Sequence, residues 1–258
     1  MNRERYPSDL TDEQWELAQS LLPTKVGGRP RAVPLRDILD AYFYLLRGGV
    51  SWRMLPHDFP PGRPSTPRSA AASATASGRP PTTASATRPA SPRAGRPNPA
   101  PQRWTARRSS PPTTRGSGGA TRGKKINGRK RHVLVDVLGL LLAVVVTPAS
   151  KQDRDGAKDV LRAAQGRFPR LRVIWADGGY AGALMGWAKP VCGWLVRTIL
   201  KPEGQKGLVV LPKRWVVERT FGWFMKYRRL VRDYETEPEM SETMIRAAMI
   251  HRMLRRLC

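Results

Sequence analysis

The chain has 258 residues, room for one large domain or two small ones, and its 46 Lys and Arg against 20 Asp and Glu give a net charge of +26. A surplus of that size points to a polyanionic partner, because each phosphate contact releases a condensed counterion. The two cysteines, Cys192 and Cys258, form no CxxC or Cys/His cluster, which excludes a disulfide framework and a structural zinc site. The longest apolar run, LGLLLAVVV at 138–146, is too short to span a bilayer, and MNRERYPSDL lacks the apolar core of a signal peptide. The expectation is a cytoplasmic, nucleoid-associated protein with no membrane partner.

Residues 1–58 read as a small helical module. LTDEQWELAQSLLP opens with a capping box, Thr11 and Gln14, with Asp12 and Glu13 at the positive end of the helix dipole. Trp15, Leu17, Ala18, Leu21 and Leu22 make a helical apolar stripe before Pro23. A basic turn, GGRPRAVP, leads to a second helix, LRDILDAYFYLLRGG, and SWRMLP starts a third with Ser51 as cap. Helix, glycine-rich turn, short helix matches a helix-turn-helix DNA reader and equally a plain packing module.

Residues 59–123 change character. Between Pro60 and Gly123 no Val, Ile, Leu, Met, Phe or Tyr occurs, no acid occurs from Phe59 to Val135, and every charge up to Gly123 is Arg. So little apolar side chain cannot repay the entropy of ordering, so the segment is expected to be disordered.

Residues 124–258 are again globular in pattern. HVLVDV and LLLAVVVT, joined by a Leu-Gly turn, predict a hairpin. QDRDGAKDVLRAAQGRF predicts an amphipathic helix and RLRVIWADGGY a buried strand, together a mixed α/β domain. LVVLPKRWVVERTFGWFMKYRRLVRDY predicts a short strand and then one long helix. SETMIRAAMIHRMLRRL predicts a last helix capped by Ser241, with Glu242 in its first turn.

Three stretches carry chemistry. In IWADGGYAG, Asp177 ends an apolar strand ahead of Gly178 and Gly179, the place where α/β sheets put functional groups; a turn or cap role is the plainer alternative. In KRWVVERTFGWFMKYRR, Glu218 is the only acid between Gly204 and Arg232. Arg214, four residues before it, could be its surface ion-pair partner, but the surrounding aromatics suggest a semi-buried acid. Lys213, Arg214, Arg219, Lys226, Arg228 and Arg229, interleaved with rings, suit a phosphate backbone, as do Lys124, Lys125, Arg129, Lys130 and Arg131 of GKKINGRKRH.

These stretches, with YPSDLTDEQWELAQSLLP and GGRPRAVPLRDILDAYFYLLRGGVSWRMLP, resemble DDE transposases of bacterial insertion sequences, of the insertion-sequence-5 group and insertion-sequence-4-like. The likeness covers about residues 1–60 and 123–257. It implies a ribonuclease-H-like catalytic domain in which three carboxylates hold two Mg²⁺ ions. It also implies cleavage at element ends and joining of the 3′ hydroxyls to target DNA, by a homodimer in a synaptic complex on double-stranded DNA. Asp177 matches the second carboxylate and Glu218 the third, with Arg214 as its helical companion. The first Asp of the pattern would lie on a strand ahead of GKK, where the 59–123 segment holds no acid. Asp136 falls at the hairpin turn, where a turn role accounts for it.

Three readings of residues 59–123 compete: an Arg-rich DNA-binding linker, an extracellular Ser/Thr/Pro stalk, and out-of-frame translation of GC-rich DNA. The stalk is at odds with the cytosolic flanks. The genetic code tests the third. Trp104-Thr105 must be encoded TGGACN, and a frame shifted by two bases reads GAC there, an Asp, with the preceding codon permitting Val, Leu or Met. Two compensating frame changes, near residues 60 and 123, therefore explain the missing acids, the missing apolar residues and the missing Asp together. On that reading the domain is incomplete and this copy inactive. The rival is a non-catalytic basic DNA-binding protein, and a weaker third option an RNA-binding protein whose Arg-rich segment folds on its ligand.

Overall fold

The computed structural model describes residues 3–22, 33–60, 102–108, 119–120, 127–177, 183–199 and 214–258. The short strand expected within LVVL at 208–211, the glycines after Asp177 and the side chains of Lys124 and Lys125 lie outside them. Helix α1, Asp12–Leu21, has the expected capping box: Thr11 Oγ1 accepts from Gln14 N at 3.2 Å and Gln14 Oε1 from Thr11 N at 3.3 Å. Helix α2, Leu35–Gly48, ends at Gly49, whose φ of 74° is a left-handed cap. The third element is smaller than expected, a single 3-10 turn at Trp52–Met54 to which Ser51 makes no side-chain cap.

The strands form one mixed sheet. Strand β1, Gln102–Arg108, pairs antiparallel with β3, Asn127–Val135, and parallel with β5, Val173–Asp177. Strand β4, Leu141–Pro148, is antiparallel to the other side of β3, and β6, Leu195–Ile199, is parallel to β5. The two-residue β2, Gly119–Ala120, pairs with the start of β3. The hairpin thus forms as read from HVLVDV and LLLAVVVT. The expectation for 59–123 needs correcting in part, because β1 and β2 both come from that stretch. A ladder is built from main-chain N–H and C=O groups, which every non-proline residue supplies. The apolar content of QRWTARR therefore does not decide whether it can pair.

Alternation along β3 and β4 sends side chains to two opposite cores. Val133, Val135, Val144 and Val146 face one side, packed with α1, α2, α5 (Arg214–Phe224) and α7 (Pro238–Leu257). Leu134 and Ala143 face the other, against α3 (Asp153–Ala164) and α4 (Ala183–Cys192). Leu10, Phe43, Leu45 and Leu46 belong to the first of these cores, so residues 1–58 share it with the C-terminal helices. Two expected elements differ in extent. The long helix predicted from RWVVERTFGWFMKYRRLV breaks after Phe224 and resumes as α6, Arg228–Val231. Helix α7 begins at Pro238, and Ser241, expected as its cap, lies inside the first turn with its hydroxyl donating to Asp233 Oδ1 at 2.5 Å. No helix among the described residues is long and apolar enough to cross a membrane.

Two histidines are sealed in these cores. His132 has its Nε2 2.9 Å from Thr147 Oγ1, and a Cβ added at Gly156 of α3 would sit 2.3 Å from its ring. His251 stacks on Phe43 at 4.3 Å, with Nδ1 3.3 Å from the Tyr227 hydroxyl. Burial lowers both to about 4. Since an unfolded histidine titrates near 6.5, the unfolded chain takes up protons first on acidification. Stability is then full above 6.5, falls as the pH drops toward 4, and levels where the folded rings protonate. Burial raises Asp40 to about 6, which acts oppositely between 3.8 and 6 for a single group. A net loss on the order of a few kcal/mol between pH 7 and pH 4.5 is expected. Denaturant midpoints at the two pH values check it, and His251→Phe should shrink the drop; an equal drop in that variant would refute the assignment.

Candidate functional site

Asp177 is the last residue of β5 and is half-buried. Its strand lies directly beside β1, with Gln102 opposite Ile174 and Arg103 opposite Trp175. Carrying that parallel register two residues along both strands sets Thr105 across from Asp177, and Thr105 is in turn paired with Val133 of β3. Helix α5, which carries Glu218, packs against β1 as well. Strand β1 is therefore packed against both the strand that ends at Asp177 and the helix that carries Glu218. Glu218, expected to be semi-buried among aromatics, is instead exposed: Val216, Val217, Phe221 and Phe224 turn inward and leave position 218 on the outer face. The side chain of Arg214 lies outside the described residues.

Asp136 has the turn role read from its position. Its Oδ1 accepts from Leu138 N and Leu140 N, both at 2.8 Å, and its main chain closes the hairpin with Leu140 and Gly139. Burial raises its pKa, against the lowering effect of those N–H groups. Its Oδ1 is thus taken up by the turn. Among the described residues no group of three or more His, Cys, Asp or Glu side chains could hold a metal ion. Asp177 and Glu218 are two carboxylates, and residue 105 is a threonine in the sequence; a two-metal centre needs carboxylate oxygens around both ions.

The basic residues expected to meet DNA divide sharply. Arg129, Lys130 and Arg131 are buried, and the structure corrects their assignment. Arg129 donates to the carbonyls of Glu235 and Thr236 and lies 3.5 Å from Asp233. Lys130 Nζ bonds Lys151 O at 2.6 Å and Asp153 at 2.7 Å, and Arg131 donates to Leu230 O at 2.6 Å. These cations tie β3 to the segments around it, and their main-chain acceptors satisfy charge that would otherwise be costly to bury. Arg229 is likewise held, 2.8 Å from Glu235 and donating to Val50 O. Lys226 and Arg228 are exposed. Arg219 lies over the rings of Trp215 and Trp223, at 4.3 Å and 5.0 Å from their centroids.

A contact that sequence reasoning missed fixes α5. Thr220 Oγ1 donates to Gly139 O and Arg219 Nη2 to Leu138 O, each at 2.8 Å, so the β3–β4 turn is latched to the helix that carries Glu218. The available signals were a Gly in the hairpin turn and a Thr directly after the basic neighbour of Glu218; no spacing rule joins positions 81 residues apart. Gly139 has a φ of 80°, and a Cβ there would meet Thr220 Oγ1 at 2.8 Å.

A family model described as a transposase DDE domain matches residues 97–253, and one described provisionally as a transposase of the IS4/5 family matches residues 10–74. The chain is similar to a Burkholderia cepacia protein provisionally named as the transposase for insertion sequence element IS402, at 33% identity over 110 residues, 40% of this chain and 52% of that protein. The match thus spans about half the length of that relative.

Gly139→Ala should destabilise the protein by about 1–3 kcal/mol, from the left-handed backbone and the displaced latch together. Gly222→Ala in α5, where nothing lies within 4 Å of an added Cβ, should stabilise it by about 0.5–1 kcal/mol. Urea midpoints of the two variants check both signs.

Proposed function

Because the chain belongs to the DDE transposase family, whose members are enzymes, we propose that it descends from an insertion-sequence transposase of the insertion-sequence-5 group and has lost the first of its three metal-binding carboxylates. The family reaction is cleavage at the ends of the element and transfer of the strand to target DNA, on double-stranded DNA and with Mg²⁺. In this reading Asp177 and Glu218 are the second and third carboxylates, and the ancestral domain is ribonuclease-H-like. An antiparallel run β4–β3–β1 continued by the parallel strands β5 and β6 supports that fold.

The observation that carries the reading is the register beside Asp177. The position where a shifted reading frame would encode Asp, at Trp104–Thr105, is the one that comes opposite Asp177 when the β1–β5 register is extended two residues beyond its last pair, Arg103 with Trp175. Frame arithmetic and strand pairing are independent, and they meet on one residue. With Thr105 there, the remaining carboxylates do not suffice for two ions, and the activity left to this copy is binding DNA. The homodimer and the place in the nucleoid follow from the family reading and from the charge of +26.

Supercoiled plasmid carrying an element end, incubated with Mg²⁺, should show no nicking by the chain as it stands; robust nicking would overturn the reading. Resequencing the DNA that encodes residues 55–125 should show that one base change near each boundary restores an open frame with Asp at Trp104–Thr105. Thr105→Asp should also create a Mg²⁺-dependent rise in melting temperature that Asp177→Asn removes.

A further inference from the structure

Among the described residues, several arginines without an ion-pair partner gather where α2, α5 and α7 meet. Arg47, at the end of α2, places its guanidinium 6.0 Å from the centroid of Tyr227, and while burial raises that phenol's pKa, the nearby charges of Arg47, Arg252 and Arg255 pull it down. Arg252 lies 4.0 Å over Trp223, and Arg219 lies 5.0 Å from the same ring. Arg256 follows one turn after Arg252. None of Arg47, Arg219, Arg252, Arg255 and Arg256 forms an ion pair within the described residues, although Arg219 donates to Leu138 O at 2.8 Å and acts on the Asp136 carboxylate, and Arg255 donates to Pro7 O at 3.2 Å. Burial is the main reason Arg252 titrates below an ordinary guanidinium, and the like charges of Arg256 and Arg219 add to it.

Helix-dipole stabilisation accounts for cations in the last turn of α7, Arg255 and Arg256. It does not account for Arg219 and Arg252, which come from two different helices and share one indole. Like charges collected from three helices repel, and a polyanion relieves that repulsion by displacing its counterions. The rings set the spacing, with Trp223 between Arg219 and Arg252 and Tyr227 beside Arg47. Arg219 is also the residue after Glu218, so the row starts at the proposed catalytic helix.

We propose that Arg219, Arg252, Arg256 and Arg47 form a track for the phosphate backbone of duplex DNA, leading from the Glu218 helix across Trp223 and Tyr227 to the ends of α7 and α2. The proposal rests on the DNA-binding reading above and adds a location to it. It gives the N-terminal helices a part in the contact, through Arg47, that needs no reading of bases.

The test is fluorescence anisotropy of the full chain with a labelled 30-base-pair duplex of mixed sequence, titrated at several salt concentrations. Replacing Arg252 and Arg256 by Gln should weaken binding roughly tenfold at 0.1 M salt and reduce the slope of log K against log salt by about 1.8. Arg252 packs on Trp223, so a second pair guards against misfolding: Arg47→Gln with Arg256→Gln, both on exposed residues, should reduce the slope similarly at an unchanged melting temperature. The control is Arg170→Gln with Arg172→Gln, two exposed arginines before β5 that remove the same charge elsewhere; it should change the slope by much less. Equal losses in the control and the track variants would overturn the track while leaving the DNA-binding reading intact. Absence of any binding by the unmodified chain would overturn both.

Discussion

The main-chain ladder of strand β1 is the constraint on which the architecture depends. On one side of it lie β3 and β4, an antiparallel hairpin whose alternation feeds two cores; on the other lie β5 and β6, parallel and joined through helix α4. Without a strand between β3 and β5 the sheet would be two unconnected pairs, each with an open edge. The residues that supply it, QRWTARR, carry one large apolar side chain. Main-chain groups need a partner whatever side chains they bear. The flanking strands thus provide a slot that an otherwise unsuitable sequence can occupy.

That division between main chain and side chain separates architecture from chemistry here. Strand β1 keeps its pairing with β5, and the latch of the β3–β4 turn keeps α5 in place; on the proposed reading, the threonine at position 105 has no carboxylate to offer there. A segment can lose its coding sense and retain a strand, whereas a metal centre has no comparable tolerance, since it is made of side-chain oxygens alone. On the proposed reading, the fold outlasts the activity.

Charge follows a similar rule. Arg129, Lys130, Arg131 and Arg229 belong to the same basic excess as Arg47, Arg252 and Arg256, yet the first four are consumed within the protein, largely by main-chain carbonyls and by Asp233, Asp153 and Glu235. A net charge of +26 indicates a polyanion; it does not say which cations face one. Lys226 and Arg228, which the sequence reading named, are left outward, and so are Arg47 of α2 and Arg256 of α7, where it had named none.

The sequence by itself determined the local features. The capping box of α1, the glycine end of α2, the hairpin, the strand that stops at Asp177 and the turn built on Asp136 are each written within a few neighbouring residues, because propensity, capping and period act over one or two turns of chain. Family membership was legible for the same reason, from short motifs in order. Tertiary structure alone decided the relations between distant segments: that β1 exists and lies against the strand that ends at Asp177, that Glu218 faces outward, that Arg129 to Arg131 point inward, and that arginines from both ends of the chain gather around Tyr227. Those outcomes depend on which surface meets which once the cores close, and no local pattern encodes the partner of a side chain a hundred residues away.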